Sequence, residues 1–236
     1  MGGGPKRALQ RMACDGSARA LGKAQARFRA PGQPVGVVAA EEAAAHWGLD
    51  SRAMRRLDPV SILALCAAKE AIGNAGLEGS CEGTETGVVL GIGYGATTTH
   101  IATHSTLAAS GASRLSPFTI PASLPNAASC NLSLEFGLKG PSWTVSTACA
   151  SGLDAIGQGM WLVRNGVVDR ALVGGSEAIV DDMGLGGMAA AKALAKSGDG
   201  DPAVLCPFDR DRSGTAVGEG AAVFVIEAEE VAEARE

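Results

Sequence analysis

From Asp58 onward the chain alternates between short apolar runs and apolar positions at helical spacing. Asp58-Pro59 pairs a capping side chain with a proline suited to a first helical turn, and Ile62, Leu65, Cys66 and Ile72 then mark a helix ending near Gly76. Thr86 to Ile92 reads as a short buried strand that enters the turn Gly91-Ile92-Gly93-Tyr94-Gly95. Helices are predicted over residues 98–109 and 124–136, the second stopped by Gly137. A strand over 143–147, a helix over 151–165 stopped by Gly166, a strand over 171–174, a helix over 188–196 and a strand over 221–227 complete the pattern. Strands alternating with helices predict an α/β architecture with right-handed crossovers. No short internal repeat interrupts it.

The first 34 residues do not follow this pattern. Lys6, Arg7, Arg11, Arg19, Lys23, Arg27 and Arg29 face one acid, Asp15. A disordered basic arm over residues 1–34 is expected there; the alternative for an Arg-rich, acid-poor start is an organellar transit peptide. The remainder, 35–236, is long enough for a sizeable core, and 33 glycines with only 4% aromatics imply close helix-on-sheet packing. A net charge of −5 gives no reason to expect nucleic acid as partner. No apolar run approaches the ~20 residues of a membrane span, so no membrane contact is expected. The six cysteines have no zinc-ligand spacing, and Cys66 and Cys130 fall within apolar helical patterns as buried free thiols. A cytoplasmic setting with reduced thiols is the expectation.

Four features bear on chemistry. Cys149, in Thr147-Ala148-Cys149-Ala150-Ser151-Gly152, stands between a predicted strand and a predicted helix. There the helix dipole and unpaired N–H groups favour a thiolate and help hold an oxyanion, although a structural thiol also fits the spacing. The Gly91–Gly95 turn lacks the GxGxxG spacing of a dinucleotide loop, so tight backbone packing is the better account. His100 and His104 share a helix face, but Ile101 stands where a zinc-site glutamate would be and no third ligand is marked; no metal is expected. Arg52, Arg55 and Arg56 form a compact positive patch, which is either a solvated helix face or a docking site for an acidic partner.

The segment Val145-Ser146-Thr147-Ala148-Cys149-Ala150-Ser151-Gly152 resembles the active-site segment of β-ketoacyl-acyl carrier protein synthases, the elongating ketosynthases. Other segments fall in family order around it: Arg55-Arg56-Leu57-Asp58, Leu138-Lys139-Gly140-Pro141, Val173-Gly174-Gly175-Ser176-Glu177-Ala178, and Gly187-Met188 through Lys192-Ala193-Leu194. Pro207-Phe208-Asp209-Arg210-Asp211-Arg212-Ser213-Gly214 leading to Gly218-Glu219-Gly220-Ala221 completes the series, and the likeness covers 35–236. The resemblance implies a thiolase-like fold of two related α/β halves in an αβαβα sandwich, assembled as a homodimer. It implies that Cys149 accepts the acyl chain, that Met188 and His100 line the acyl pocket, and that Arg52, Arg55 and Arg56, with Lys196, dock acyl carrier protein. No cofactor is bound; phosphopantetheine is carried by the carrier protein. Chain-length-factor relatives lack the cysteine, which favours the catalytic branch.

The sequence also departs from the family. Nothing corresponds to its opening strand, V-V-V-T-G-x-G, and no histidine follows Cys149 to match the pair that promotes decarboxylation. The expectation is therefore an N-terminal half lacking its first strand, which at most self-acylates slowly and does not condense alone. The alternative is a non-catalytic, truncated ketosynthase that pairs with a complementary chain through an exposed apolar face. A third reading is an incomplete gene reading.

Overall fold

The structure, a computed structural model, describes residues 22–23, 34–46, 48–50, 54–195 and 207–235. Most of the basic arm, Arg52 and Lys196 lie outside the described residues. The main sheet contains β3 (Gly87–Gly91), β4 (Ser142–Val145), β5 (Arg170–Glu177) and β7 (Gly220–Glu227), in the order β4-β3-β5-β7. β3 runs parallel to both neighbours and β7 runs antiparallel to β5, from Arg170 opposite Glu227 to Glu177 opposite Gly220. Among the described residues, no strand of this sheet precedes Gly87.

β3 is central and buried along its whole length, which explains its continuous apolar sequence. Alternation along it separates two cores. Val88 and Leu90 face α2 (Pro59–Asn74) and α5 (Ala127–Glu135), packing with Ile62, Leu63, Leu65, Cys66 and Leu132. Val89 joins Ala155, Leu162 and Val163 of α6 (Ser151–Arg164) on the opposite face. The sheet is thus sandwiched between helices, as the α/β reading expects. A smaller sheet sets β2 (Pro34–Gly36) between β1 (Gly22–Lys23) and β6 (Val217–Gly218). Short helices α1 (Ala40–His46) and α8 (Glu229–Glu233) complete the outer layer.

Two predicted helices are corrected. The helix expected over 188–196 is α7 (Asp182–Ala190). Asp181 is extended and its carboxylate accepts the Gly184 N–H at 2.8 Å, while Asp182 places an acid in the first turn. The helix ends before Lys192, whose φ is +56°, and Leu194 bridges to Thr215. The Asp181 cap starts the helix ahead of Gly184, Gly186 and Gly187, which lie within it. The helix expected over 124–136 begins three residues late, because Leu124 precedes Pro125 and takes an extended backbone, with ψ 140°. α4 (Thr119–Ser123) occupies the preceding segment.

Asp58 does more than cap its own helix. It is fully buried, and one carboxylate oxygen accepts the Val60 N–H at 3.1 Å. The other accepts the Thr99 N–H at 2.8 Å, in the first turn of α3 (Thr97–Ser110), which has no capping side chain of its own. One carboxylate therefore closes the N-termini of two helices.

Burial raises the Asp58 carboxyl above its ordinary 3.8, against the lowering effect of its backbone donors. The folded state then holds that proton more tightly than the unfolded chain, so this contribution is present below about pH 4 and fades as pH rises through the raised value. Urea titrations should show the parent losing stability relative to Asp58→Asn across that interval. A constant difference between the two would show that Asp58 does not contribute in this way.

Candidate active site

The turn that carries Cys149 is built from strain and local hydrogen bonds. β4 ends at Val145, a single 3₁₀ turn covers Ala148–Ala150, and α6 begins at Ser151. Ala148 has φ +53°, a left-handed conformation that costs a non-glycine residue about 1–2 kcal/mol. The Ser151 hydroxyl supports it by accepting the Thr147 N–H at 2.9 Å and donating to the Ala148 carbonyl at 2.6 Å. The Thr147 hydroxyl donates to the Asp154 carboxylate at 2.5 Å. Cys149 is carried on the outside of this turn and is exposed, whereas Cys66 and Cys81 are buried. The structural-thiol reading suits those two and not Cys149.

Glycines bring this turn onto the sheet. A Cβ on Gly91 would lie 2.1 Å from the Ser151 carbonyl carbon, and one on Gly175 would lie 3.2 Å from Gly152 Cα. The start of α6 therefore rests directly on the backbone at the ends of β3 and β5. Just beyond, the N–H groups of Gly93, Tyr94 and Gly95 converge on the Glu177 carboxylate at 3.0, 2.7 and 3.1 Å. Such a nest of amides is an anion site. Here its anion is the chain's own side chain, and the tight backbone packing expected of this turn is seen at Gly91. The Ser146 hydroxyl donates to the Gly93 carbonyl at 3.4 Å, tying the nest to the cysteine turn.

Glu177 was not singled out from sequence. The available signal was a glycine-alternating turn after a strand together with an acid closing a neighbouring strand, and only the β3–β5 pairing makes them meet.

The other candidates are dispersed. Arg55 and Arg56 are exposed beside a cleft of about 210 Å³ bounded by Thr99, Thr103, Leu115, Phe118 and Ala122. His100 and His104 are both exposed on α3. Met188 is half-buried in α7, against the cluster of Val35, Val180, Leu185 and Val217. Neither His100, Met188 nor Cys149 lines the arginine cleft. Among the described residues, no three His, Cys, Asp or Glu side chains gather as a metal site.

The family profile described as "Beta-ketoacyl synthase, N-terminal domain" matches residues 25–232. The chain belongs to this β-ketoacyl synthase family. It is 36% identical over 188 residues to 3-oxoacyl-[acyl-carrier-protein] synthase 2 of Staphylococcus aureus, covering 79% of this chain and 46% of that protein. The protein of the same name from Synechocystis sp. is 37% identical over 79% of this chain and 45% of its own length. A β-ketoacyl synthase from Burkholderia phymatum superposes with a TM-score of 0.68 at 30% identity, over 79% of this chain and 46% of that one. A type II PKS ketosynthase in complex with its acyl-carrier protein gives 0.69 at 26% identity, over 75% and 45%. The ketosynthase fold, thiolase-like and α/β, is thus shared. The chain spans about half the length of the curated relatives it matches.

Replacing Glu177 with Gln turns an NH₂ group toward at least one amide of the nest. A loss of about 1–3 kcal/mol is expected from the denaturant midpoint, with a changed alkylation rate at Cys149. Gly91→Ala should be worse, giving no soluble protein. An unaltered thiol rate in Glu177→Gln would separate the nest from the turn.

Proposed function

We propose that this ketosynthase domain is the acyl-accepting part of a β-ketoacyl-acyl carrier protein synthase. The observation that carries this reading is the exposed Cys149 on a strained turn at the start of a 14-residue helix. Its Sγ, as thiolate, attacks the carbonyl carbon of an acyl chain carried on a carrier protein's phosphopantetheine. The bond from that carbon to the carrier sulfur breaks, the carrier thiolate takes up a proton, and Cys149 holds the acyl group as a thioester. In the condensing step, a malonyl carrier thioester loses CO₂ and its carbanion attacks the Cys149 thioester. A carbon–carbon bond forms and Sγ leaves.

The two steps make different demands. Attack needs a thiolate and a site for the developing oxyanion, and the N–H groups of a helix N-terminus suit the second. Decarboxylation needs further donors, and the 236 residues hold no histidine beyond Cys149. This half of the chemistry is accordingly assigned to groups outside these residues.

Arg55 and Arg56 are assigned to carrier docking. Among the described residues neither has a carboxylate partner, which leaves both charges available to an acidic surface. The acyl pocket is assigned to the sides of α3 and α7 that carry His100 and Met188. A second chain of ketosynthase type, identical or complementary, would cover the apolar stripe of α6, where Leu153 is 74% and Trp161 59% exposed beside edge strand β4. That stripe also favours the partner-subunit reading, in which the cysteine is not used. A cytoplasmic setting suits the free thiols; no described helix is long and apolar enough to cross a membrane.

Incubation with an acyl carrier thioester should add one acyl mass to the chain at Cys149, and Cys149→Ala should remove the adduct. With malonyl carrier protein added, the chain alone should form no β-ketoacyl product. Labelling that persists in Cys149→Ala would overturn the acyl-acceptor assignment, and absence of labelling in the parent would favour the partner-subunit reading.

A further inference from the structure

The Arg56 guanidinium lies over the Phe118 ring, 4.6 Å from its centroid. Arg55, its neighbour on the same turn, has no such platform among the described residues. We infer that Phe118 is a positioning residue for carrier docking, presenting Arg56 as a preformed cation to the acidic carrier surface. This inference rests on the docking assignment above.

Both sides of the contact are fixed by their own backbone. On the arginine side, the Leu57 N–H donates to the Met54 carbonyl at 3.0 Å, and the next residue, Asp58, is the buried double cap. On the ring side, the Phe118 N–H donates to Ser116 Oγ at 3.1 Å and the Thr119 N–H donates to the Ser116 carbonyl at 3.1 Å. The Phe118 carbonyl accepts the Ala122 N–H at 2.9 Å, which starts α4. A half-open ring held in this way offers its face to the cleft. Arginine suits the position because a planar, weakly hydrated guanidinium can stack on a ring while its edge N–H groups remain available to a carboxylate. An aromatic face does not neutralise the charge as an acid would. It restricts the side chain before the partner arrives, so less freedom is lost on binding. Arg55 then contributes general attraction, and Arg56 contributes a charge at a defined place.

A double-mutant cycle on the whole chain tests this, with calorimetric titration of Staphylococcus aureus holo-acyl carrier protein at low salt. Phe118→Leu keeps apolar volume and removes the aromatic face. It should weaken binding about two- to fivefold when Arg56 is present and leave binding unchanged in Arg56→Ala, while Phe118→Trp restores it. Arg55→Ala should weaken binding whatever occupies position 118. An equal loss from Phe118→Leu with and without Arg56, or no loss at all, overturns the platform and leaves docking intact. If Arg55→Ala and Arg56→Ala leave affinity and its salt dependence unchanged, or the parent does not bind, the docking assignment itself falls and the platform falls with it.

Discussion

The site depends on a backbone-to-backbone contact: the start of α6 lies on the ends of β3 and β5, with no side chain between them. A methyl group at Gly91 would fall inside the Ser151 carbonyl group, and one at Gly175 would press on Gly152. This closeness fixes where the helix dipole begins and hence where Cys149 is held. It also leaves the amides after β3 pointing together with no strand or helix to receive them. The chain satisfies them with Glu177, brought alongside by β5. Close packing and the internal anion are therefore two consequences of one constraint. In many α/β proteins a loop in this position holds a phosphate; here the carboxylate takes that role and the loop becomes part of the scaffold.

A second constraint runs through Asp58. Its carboxylate ties the start of α2 to the start of α3, and the arginine turn immediately precedes it. The helix that carries His100 and the turn that carries Arg55 and Arg56 therefore share one buried anchor. Its charge is kept inside at a cost, since desolvation raises its carboxyl, and two backbone amides offset that cost. A rim patch on an otherwise mobile loop would give little orientation. The anchor allows a short exposed turn to present its charges from a fixed place.

The large elements were legible in the sequence because each carries its own local signal. Asp58-Pro59 starts α2, Gly137 and Gly166 take φ near +63° and +65° and stop α5 and α6, and the apolar run through Leu90 gives β3. Cys149 was legible as a strand-to-helix residue, and the ordered motifs around it identified the family. α7 starts earlier than the sequence reading placed it because the Asp181 side chain caps it, and α5 starts later because Pro125 acts on the residue before it. Glu177, the second helix capped by Asp58, and the Phe118–Arg56 stack were not legible. Each joins residues distant in sequence, separated by 84, 41 and 62 positions, and only the fold makes them neighbours.

The same contacts bear on the division of labour proposed for the turn, between attack and the remainder of a condensation. Several polar side chains in its wall are already engaged. The Ser151 hydroxyl bridges the Thr147 N–H and the Ala148 carbonyl, and the Thr147 hydroxyl is given to Asp154. Glu177 is held by three amides. Each of these bonds helps to hold the geometry that places the cysteine, and releasing one would loosen it. What remains is the helix end itself, whose dipole and N–H groups favour the negative charge that develops on a carbonyl oxygen under attack. A turn of this kind stabilises charge but does not move protons. Its open side, where Cys149 is exposed, is the face left to an incoming group.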